Sequence, residues 1–162
     1  MEEILVDKEG YKQFLEELEI LKEKNLSLSS VASEAYKDAV GDGWHDNFTF
    51  EDTMRESRKI VSQIDKMIGE QHILRIIDNG EYDKDLVNIG DVLRIEFVYN
   101  EDDNEEEVIK LTGKYIPNTN SDIKEISLNS PLGKTIFKNR IGNMLEYTVN
   151  NIVLKVKIIK KM

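Results

Sequence analysis

Apolar residues in the first quarter of the chain recur at alternating spacings of three and four, which places them on one stripe of a helix. Asp7 can cap the start of this helix by accepting a hydrogen bond from a free amide, and Gly41 and Gly43 can end it. We therefore predict a helix from Asp7 to Val40. Its stripe comprises Tyr11, Phe14, Leu15, Leu18, Leu21, Leu28, Ala32, Ala35 and Ala39, with Asn25 interrupting.

A second stripe with heptad-like spacing extends from about Asn47 to Ile77 and is polar at Ser57. Two helices of about 30 residues, joined by a short turn, should form an antiparallel coiled-coil hairpin about 45 to 50 Å long. Residues 41–46 would then form its far tip. The second stripe comprises Phe50, Met54, Val61, Ile64, Ile68 and Gln71, with Ile60, Met67 and Leu74 alongside.

The spacing of apolar residues changes from a helical to a strand-like period after the polar stretch "DNGEYDKD". "DVLRIEFVYN" and "EEVIKLTG" alternate as strands do, and "NEDDNEEE" between them suggests a hairpin loop. "ISLNS", "MLEYTV" and "IVLKVKIIKKM" predict three more strands. Pro131 to Phe137 predicts a short helix capped by Ser130. The sequence thus predicts an α+β protein, with a helical hairpin over 1–78, a linker over 79–85 and a small, mainly antiparallel β domain over 86–162.

Composition narrows the possible functions. The apolar fraction of 40% suffices for a packed core, while a net charge of -10 would repel free nucleic acid from most of the surface. The chain has no cysteine, which excludes disulfides and thiolate zinc sites. It has neither a signal-like start nor about 18 consecutive apolar residues, so we expect a cytoplasmic protein without membrane association.

Candidate chemistry concentrates in "AVGDGWHDNF", at the predicted tip. Asp42, His45 and Asp46 fall within five residues there, and exposed carboxylates can hold Mg²⁺ when another molecule supplies the remaining ligands. They could thus complete a metal position in another protein's acidic active site. The alternative is structural: aspartate and glycine are common in turns, Asp46 can cap the second helix, and Trp44 can pack against Phe48.

Two stretches resemble the Gre family of bacterial transcript cleavage and elongation factors. "DKEGYKQFLEELEILK" is similar to that family's opening "T-x-x-G-y-x-x-L-x-x-E-L-x-x-L". "ISLNSPLGKTIFKNRIGN" is similar to its pattern "I-S-x-x-S-P-x-(G/A)-x-A-L-x-G-x-x-x-G-D". The matching residues of the second stretch are Ile126, Ser127, Ser130, Pro131, Gly133 and Gly142.

The resemblance implies a monomer that is not itself an enzyme and that acts on RNA polymerase. The C-terminal domain, similar in fold to FK506-binding proteins, would bind the rim of the polymerase secondary channel. The hairpin would reach down that channel, near the nascent RNA 3′ end and, indirectly, the template DNA. The tip carboxylates Asp42 and Asp46 would help hold Mg²⁺ in the polymerase active site, which then cleaves backtracked RNA. No cofactor of the protein's own is implied.

The tip departs from the family's usual "G-D-L-S-E-N". Aligning on Gly-Asp matches Asp42 and shifts the second acid by one residue, whereas aligning on Asn47 matches Asp46 to the family's glutamate. Trp44 and His45 would be additional tip contacts. Two hypotheses therefore stay open: a factor that stimulates cleavage, and a Gre-like regulator that inhibits polymerase or opposes cleavage factors.

The resemblance also implies an RNA-facing basic patch, for which Arg55, Arg58 and Lys59 are the candidates. Ion pairing on the helix surface is the alternative, because acidic residues surround them at Glu51, Asp52 and Glu56. Asn129, Ser130 and Pro131 are the predicted contacts with the polymerase rim, although helix capping by Ser130 would explain the Ser-Pro pair by itself.

A third hypothesis, from another functional class, is a peptidyl-prolyl isomerase or peptide-binding module with a chaperone-like arm. Isomerases of this fold line their pocket with aromatic side chains. The aromatics of the C-terminal half look too few and too scattered for such a pocket: they are Phe97, Tyr99, Tyr115, Phe137 and Tyr147.

Overall fold

The computed structural model describes residues 2–38, 48–78, 80, 83–100 and 103–162. These residues form two compact units. The hairpin unit comprises Phe14–Ile73, and the sheet unit comprises Glu2–Gln13 together with Leu74–Met162. The predicted α+β class is confirmed, with two long helices followed by a mainly antiparallel β domain.

The two predicted long helices are α1, Lys8–Asp38, and α2, Phe48–Gln71. Asp7 caps α1 as predicted, because its Oδ1 accepts a hydrogen bond of 2.6 Å from the Gly10 amide. The predicted end of the first helix, at Gly41 and Gly43, lies outside the described residues.

Polar contacts join α1 to α2 across the heptad seam. Ser57 Oγ donates to Asn25 Oδ1 at 2.8 Å, so the two polar interruptions of the seam face each other. Beside them, Lys24 Nζ lies 2.7 Å from Glu56 Oε1. A paired polar residue at a seam position fixes the alignment of two helices, at some cost in stability.

The predicted seam of α2 is wrong at Val61 and Ile68, where the preceding residue is buried instead. Val61 and Ile68 are 40% and 43% exposed, whereas Ile60 and Met67, which the prediction placed alongside, are buried at 4% and 5%. Thr53 is also buried, although the prediction omitted it. Neighbouring apolar residues point about 100° apart on a helix, and packing against α1 decides which column is covered.

Two short strands were not predicted. Strand β1, Ile4–Val6, pairs in parallel with β2, Leu74–Ile76. The prediction of helix as far as Ile77 is therefore wrong, since α2 ends at Gln71. Three-residue strands are too short to show a period, and their pairing joins segments that are far apart in sequence.

The main sheet contains five strands in the order β5-β4-β3-β7-β6. Its pairs are antiparallel except β4 with β5. Ten residues of the sheet unit form its buried core: Val87, Leu93, Ile95, Ile109, Leu111, Leu128, Leu132, Ile136, Val156 and Ile158. The strands are β3, Val92–Asn100; β4, Asp103–Thr112; β5, Lys124–Ser127; β6, Met144–Val149; and β7, Ile152–Lys161.

Helix α3, Pro131–Ile136, follows β5 as predicted and contributes Leu132 and Ile136 to the core. Two strand predictions need correction. The "NEDDNEEE" stretch is not all loop, because Glu105 to Glu107 pair with β3. The "ISLNS" strand ends at Ser127, where the chain turns into α3. Among the described helices, none is long and apolar enough to cross a membrane.

Candidate functional site

The predicted tip residues Asp42, Trp44, His45 and Asp46 lie outside the described residues, in the segment that joins α1 to α2. Within the described ranges, no group of three histidine, aspartate or glutamate side chains could hold a metal ion. The role of Asp42 and Asp46 as metal ligands therefore stays a prediction from sequence.

The predicted basic patch divides into two parts. Arg55 Nη1 lies 3.3 Å from Asp52 Oδ1, one turn earlier on α2, so for this residue the ion-pair alternative applies. Arg58 and Lys59 are exposed and form no ion pair with any residue that the structure describes. Glu56, one turn before Lys59 on α2, instead pairs with Lys24 of α1. Among the described residues, two of the three cations thus have no ionic partner.

The Ser-Pro corner is a rigid turn between β5 and α3. Ser130 Oγ accepts from the Gly133 amide at 2.9 Å and donates to the Ser127 carbonyl at 2.8 Å, which confirms the predicted cap. A Cβ at Gly133 would lie 2.0 Å from the Ser127 carbonyl oxygen, so only glycine fits this turn. Pro131 is exposed at the outside of the corner.

Asn129 has an intramolecular role that the sequence did not reveal. Its Oδ1 accepts from the Leu5 amide at 2.7 Å, and its Nδ2 donates to the Leu5 carbonyl at 2.7 Å. The other edge of β1 pairs with β2, as in the bond of 2.8 Å from the Ile77 amide to the Val6 carbonyl. Asn129 thus acts as a partner for the open edge of β1, which leaves Pro131 as the exposed residue of the three predicted rim contacts.

Asn129→Ala should lower the free energy of unfolding of the sheet unit by about 1 to 2 kcal/mol, because both Leu5 backbone groups lose their partners. Urea denaturation followed by circular dichroism would measure this change. Pro131→Ala, on the exposed side of the same corner, should change it by less than about 0.5 kcal/mol. If Asn129→Ala unfolded at the same urea concentration as the native chain, this would contradict the role of the Asn129 side chain in holding β1.

A second departure from the family pattern lies at the end of α3, where Lys138 occupies a glycine position of that pattern. Its φ is 58°, a left-handed conformation that glycine adopts more easily. The Lys138 ammonium donates to Asn88 Oδ1 at 2.9 Å. Asn88 is fully buried and also donates to the carbonyls of Asp83 and Leu86. Lys138 therefore ties the end of α3 to the segment that leads into the sheet.

The aromatic residues of the sheet unit are less scattered than the sequence suggested. Phe97 and Tyr99 stack with ring centroids 6.4 Å apart. Leu145, which pairs with Val156, and Tyr147 alternate along β6, so both point to the same face of the sheet as Phe97. The sequence alternation of β3 and β6 predicts this face, but the adjacency of the two strands to β7 does not follow from it.

The family model and the relatives that match this chain all point to the same family. Residues 82–160 match the model described as "Transcription elongation factor, GreA/GreB, C-term". The chain is 24% identical over 161 residues to transcription elongation factor GreA of Alkaliphilus oremlandii, an alignment that covers 98% of this chain and 95% of the relative. It is 29% identical over 164 residues to GreA of Acetivibrio thermocellus, with coverage of 98% and 95%.

Among solved structures, the crystal structure of GreA factor homolog 1 of Thermus thermophilus aligns with 99% of this chain and 99% of its own length, at 19% identity and a TM-score of 0.44. The family assignment rests on the sequence matches and on the two motifs, at the start of α1 and at the Ser-Pro corner. These sequence matches support a factor of the Gre family of transcription elongation factors.

Proposed function

We propose that this protein binds bacterial RNA polymerase, places its hairpin in the secondary channel and stimulates cleavage of backtracked nascent RNA. The observation that best supports the proposal is the aligned pair α1 and α2, which joins through a segment containing Asp42 and Asp46. The Asn25–Ser57 bond fixes the alignment of these two helices, so their register is defined.

On this proposal the polymerase performs the reaction and the protein adds two carboxylates to its active site. Asp42 and Asp46 would be the ligands, because carboxylate oxygens suit Mg²⁺ and the cation would be shared with the polymerase. When bound, Mg²⁺ supplies positive charge for the phosphoryl oxygen and activates the attacking water. Trp44 and His45 would contact the same site. The protein would work as a monomer in the cytoplasm, with no cofactor of its own.

The described residues support two further contacts. Arg58 and Lys59, exposed on α2, would attract the phosphates of the RNA 3′ end, whereas Arg55 is partly neutralised by Asp52. Template DNA would be affected only through the polymerase. Pro131 would contact the polymerase rim, because the bonds of Ser130 and the glycine at 133 hold it on a rigid exposed corner.

A second candidate function is inhibition, favoured by the sequence of the tip. "GWHDN" stands where the family usually has "LSEN", and aspartate replaces glutamate in one of the two alignments. Aspartate is shorter by one methylene, about 1.5 Å, which matters where metal distances are narrow. A protein that binds the channel but places its acids poorly would obstruct polymerase instead of assisting cleavage.

A cleavage assay on a defined backtracked elongation complex distinguishes the two functions. If the protein stimulates cleavage, adding it should shorten the RNA faster than the intrinsic rate. Asp42→Ala and Asp46→Ala should each remove at least about 90% of that stimulation, because each removes a metal ligand. Such a tenfold loss of rate corresponds to about 1.4 kcal/mol of transition-state stabilisation. The affinity for polymerase should change less than twofold.

Three results would count against the cleavage proposal. RNA shortening at the intrinsic rate with the native protein would favour inhibition, particularly if elongation also slowed. Equal loss of polymerase binding and cleavage would make the two acids structural. Retention of full stimulation by both variants would show that neither acid acts on the metal. Asp52→Ala on α2, which removes an exposed carboxylate paired with Arg55, is a matched control.

A further inference from the structure

The core covers one end of the sheet's inner face more completely than the other. Leu93, Ile95, Val156 and Ile158 are fully buried in the core to which α3 contributes. The strands continue beyond it. Their alternation, together with the stacking of Tyr99 on Phe97, places five further side chains on the same face. We name these the aromatic face: Phe97, Tyr99, Tyr147, Ile152 and Leu154.

The aromatic face is open to solvent at its outer end. Tyr99 is 50% exposed and Ile152 is 62% exposed, while Phe97, Tyr147 and Leu154 are half-buried. Two of its rings, those of Phe97 and Tyr99, stack on each other. Exposed apolar groups that lie together in this way are typical of interaction surfaces.

Carboxylates border the aromatic face along β4. Glu105 pairs with Phe97 and Glu107 pairs with Ile95, so both project from the inner side of the sheet. Glu107 lies 3.3 Å from Lys124, whereas Glu105 is exposed. The pKa of Tyr147 is raised, first by burial and then by Tyr99 and Glu107. The carboxylate of Glu107 therefore lies near enough to this aromatic surface to act on Tyr147.

We propose that the aromatic face and its bordering glutamates bind a basic segment of a partner protein, in which lysine or arginine stands next to an aliphatic residue. Aromatic rings attract cations through their π faces, and a nearby carboxylate adds to the attraction. Ile152 and Leu154 offer apolar surface for the aliphatic neighbour. The charge and the apolar surface thus favour the same class of ligand.

This surface is separate from the predicted polymerase contacts. Strand β4 pairs with β5 at its C-terminal end, where Thr112 lies opposite Ser127 and the chain turns toward Pro131. Glu105 and the aromatic face lie toward the opposite end of β4. The inference does not rest on the proposed function, and loss of one activity should leave the other intact.

The test uses the full chain and a fluorescein-labelled decapeptide of alternating arginine and leucine, with binding followed by fluorescence anisotropy. Tyr99→Ala and Glu105→Gln should each weaken binding about five- to tenfold, the range expected for a cation held by a ring and a carboxylate. Tyr99→Phe should retain binding within twofold, because the ring is kept. A decapeptide of alternating glutamate and leucine should not bind.

Two variants on the outer face serve as matched controls. Glu106→Gln changes the charge as Glu105→Gln does, one residue along β4, and Met144→Ala removes a side chain that is 51% exposed. Both should bind the arginine peptide within twofold of the native chain. Equal weakening by Glu105→Gln and Glu106→Gln would show attraction by net charge alone and would overturn the proposal. Absence of saturable binding to the native chain would also overturn it.

Discussion

Gly10→Ala should destabilise the sheet unit by about 3 kcal/mol, as expected for overpacking against backbone that cannot move. A Cβ at this position would lie 2.1 Å from the Gly113 carbonyl oxygen and 2.9 Å from the Lys114 Cα. The Gly113 carbonyl is held in place because it accepts from the Asp7 amide at 3.0 Å. Urea denaturation combined with amide exchange in β3 and β4 would measure the loss.

Two other glycines provide comparison. Gly113→Ala should also destabilise the sheet unit, because its Cβ would lie 2.7 Å from the Asp7 amide nitrogen. Gly69, in the interior of α2, has nothing within 4 Å of the added Cβ. Gly69→Ala should therefore stabilise the hairpin unit by up to about 1 kcal/mol through helix propensity. A Gly10→Ala protein that unfolds at the native urea concentration would contradict the close approach.

Glu125→Gln should lower the free energy of unfolding of the sheet unit by about 2 kcal/mol at neutral pH. The Glu125 side chain is 8% exposed, and its Oε1 lies 2.9 Å from Lys114 Nζ. Its Oε2 accepts from the Asn118 amide at 2.7 Å. Removing one partner of a buried ion pair costs about 3 to 5 kcal/mol, and the greater exposure of Lys114, at 29%, reduces that cost.

The same pair predicts how stability depends on pH. Burial would raise the pKa of Glu125, but the bonds from Asn118 and Lys114 outweigh it and hold the pKa below its ordinary 4.5. The carboxylate therefore contributes stability above pH 4.5, and the contribution is lost as pH falls through the folded pKa. The Glu125 bond raises the pKa of Lys114 above 10.5, so its contribution is complete below pH 10.5 and declines above the folded pKa.

The native chain and Glu125→Gln should thus differ in stability at pH 7 and converge as the solution is acidified below pH 4.5. Urea denaturation at several pH values would measure the convergence. Glu2→Gln is the matched control, since Glu2 lies 2.6 Å from Lys134 but its side chain is 79% exposed. An exposed pair is screened by water and should add little. Equal effects of the two substitutions would contradict the importance of burial at Glu125.

Periodic segments were predictable because their pattern is local. The cap at Asp7, the helices of the hairpin and the two C-terminal strands follow from spacings within each segment. The polar pair Asn25 and Ser57 was visible as interruptions of two apolar stripes. Its bond depends on the alignment of two helices, which a single stripe does not specify.

Contacts between distant segments were missed. Asn129 was predicted as a contact with the polymerase rim, and its role in completing the edge of β1, from a position 124 residues away, was not foreseen. The burial of Ile60 in place of Val61 depended on the facing helix. The grouping of Phe97 with Tyr147 depended on strand order, since β7 lies between the strands that present them. None of these three contacts can be predicted from the residue pattern of one segment alone.

The sequence by itself determined the element types in the periodic segments, the helix cap and the two motifs that resemble the Gre family. Local hydrogen bonding and the spacing of apolar residues suffice for these. Tertiary structure decided which seam position is buried, that Asn129 supports β1, and that aromatic rings and glutamates share one open face. Each of these depends on contacts between segments that are far apart in the chain. The energies of alternative pairings differ only once the backbone has folded and one face of each segment is buried.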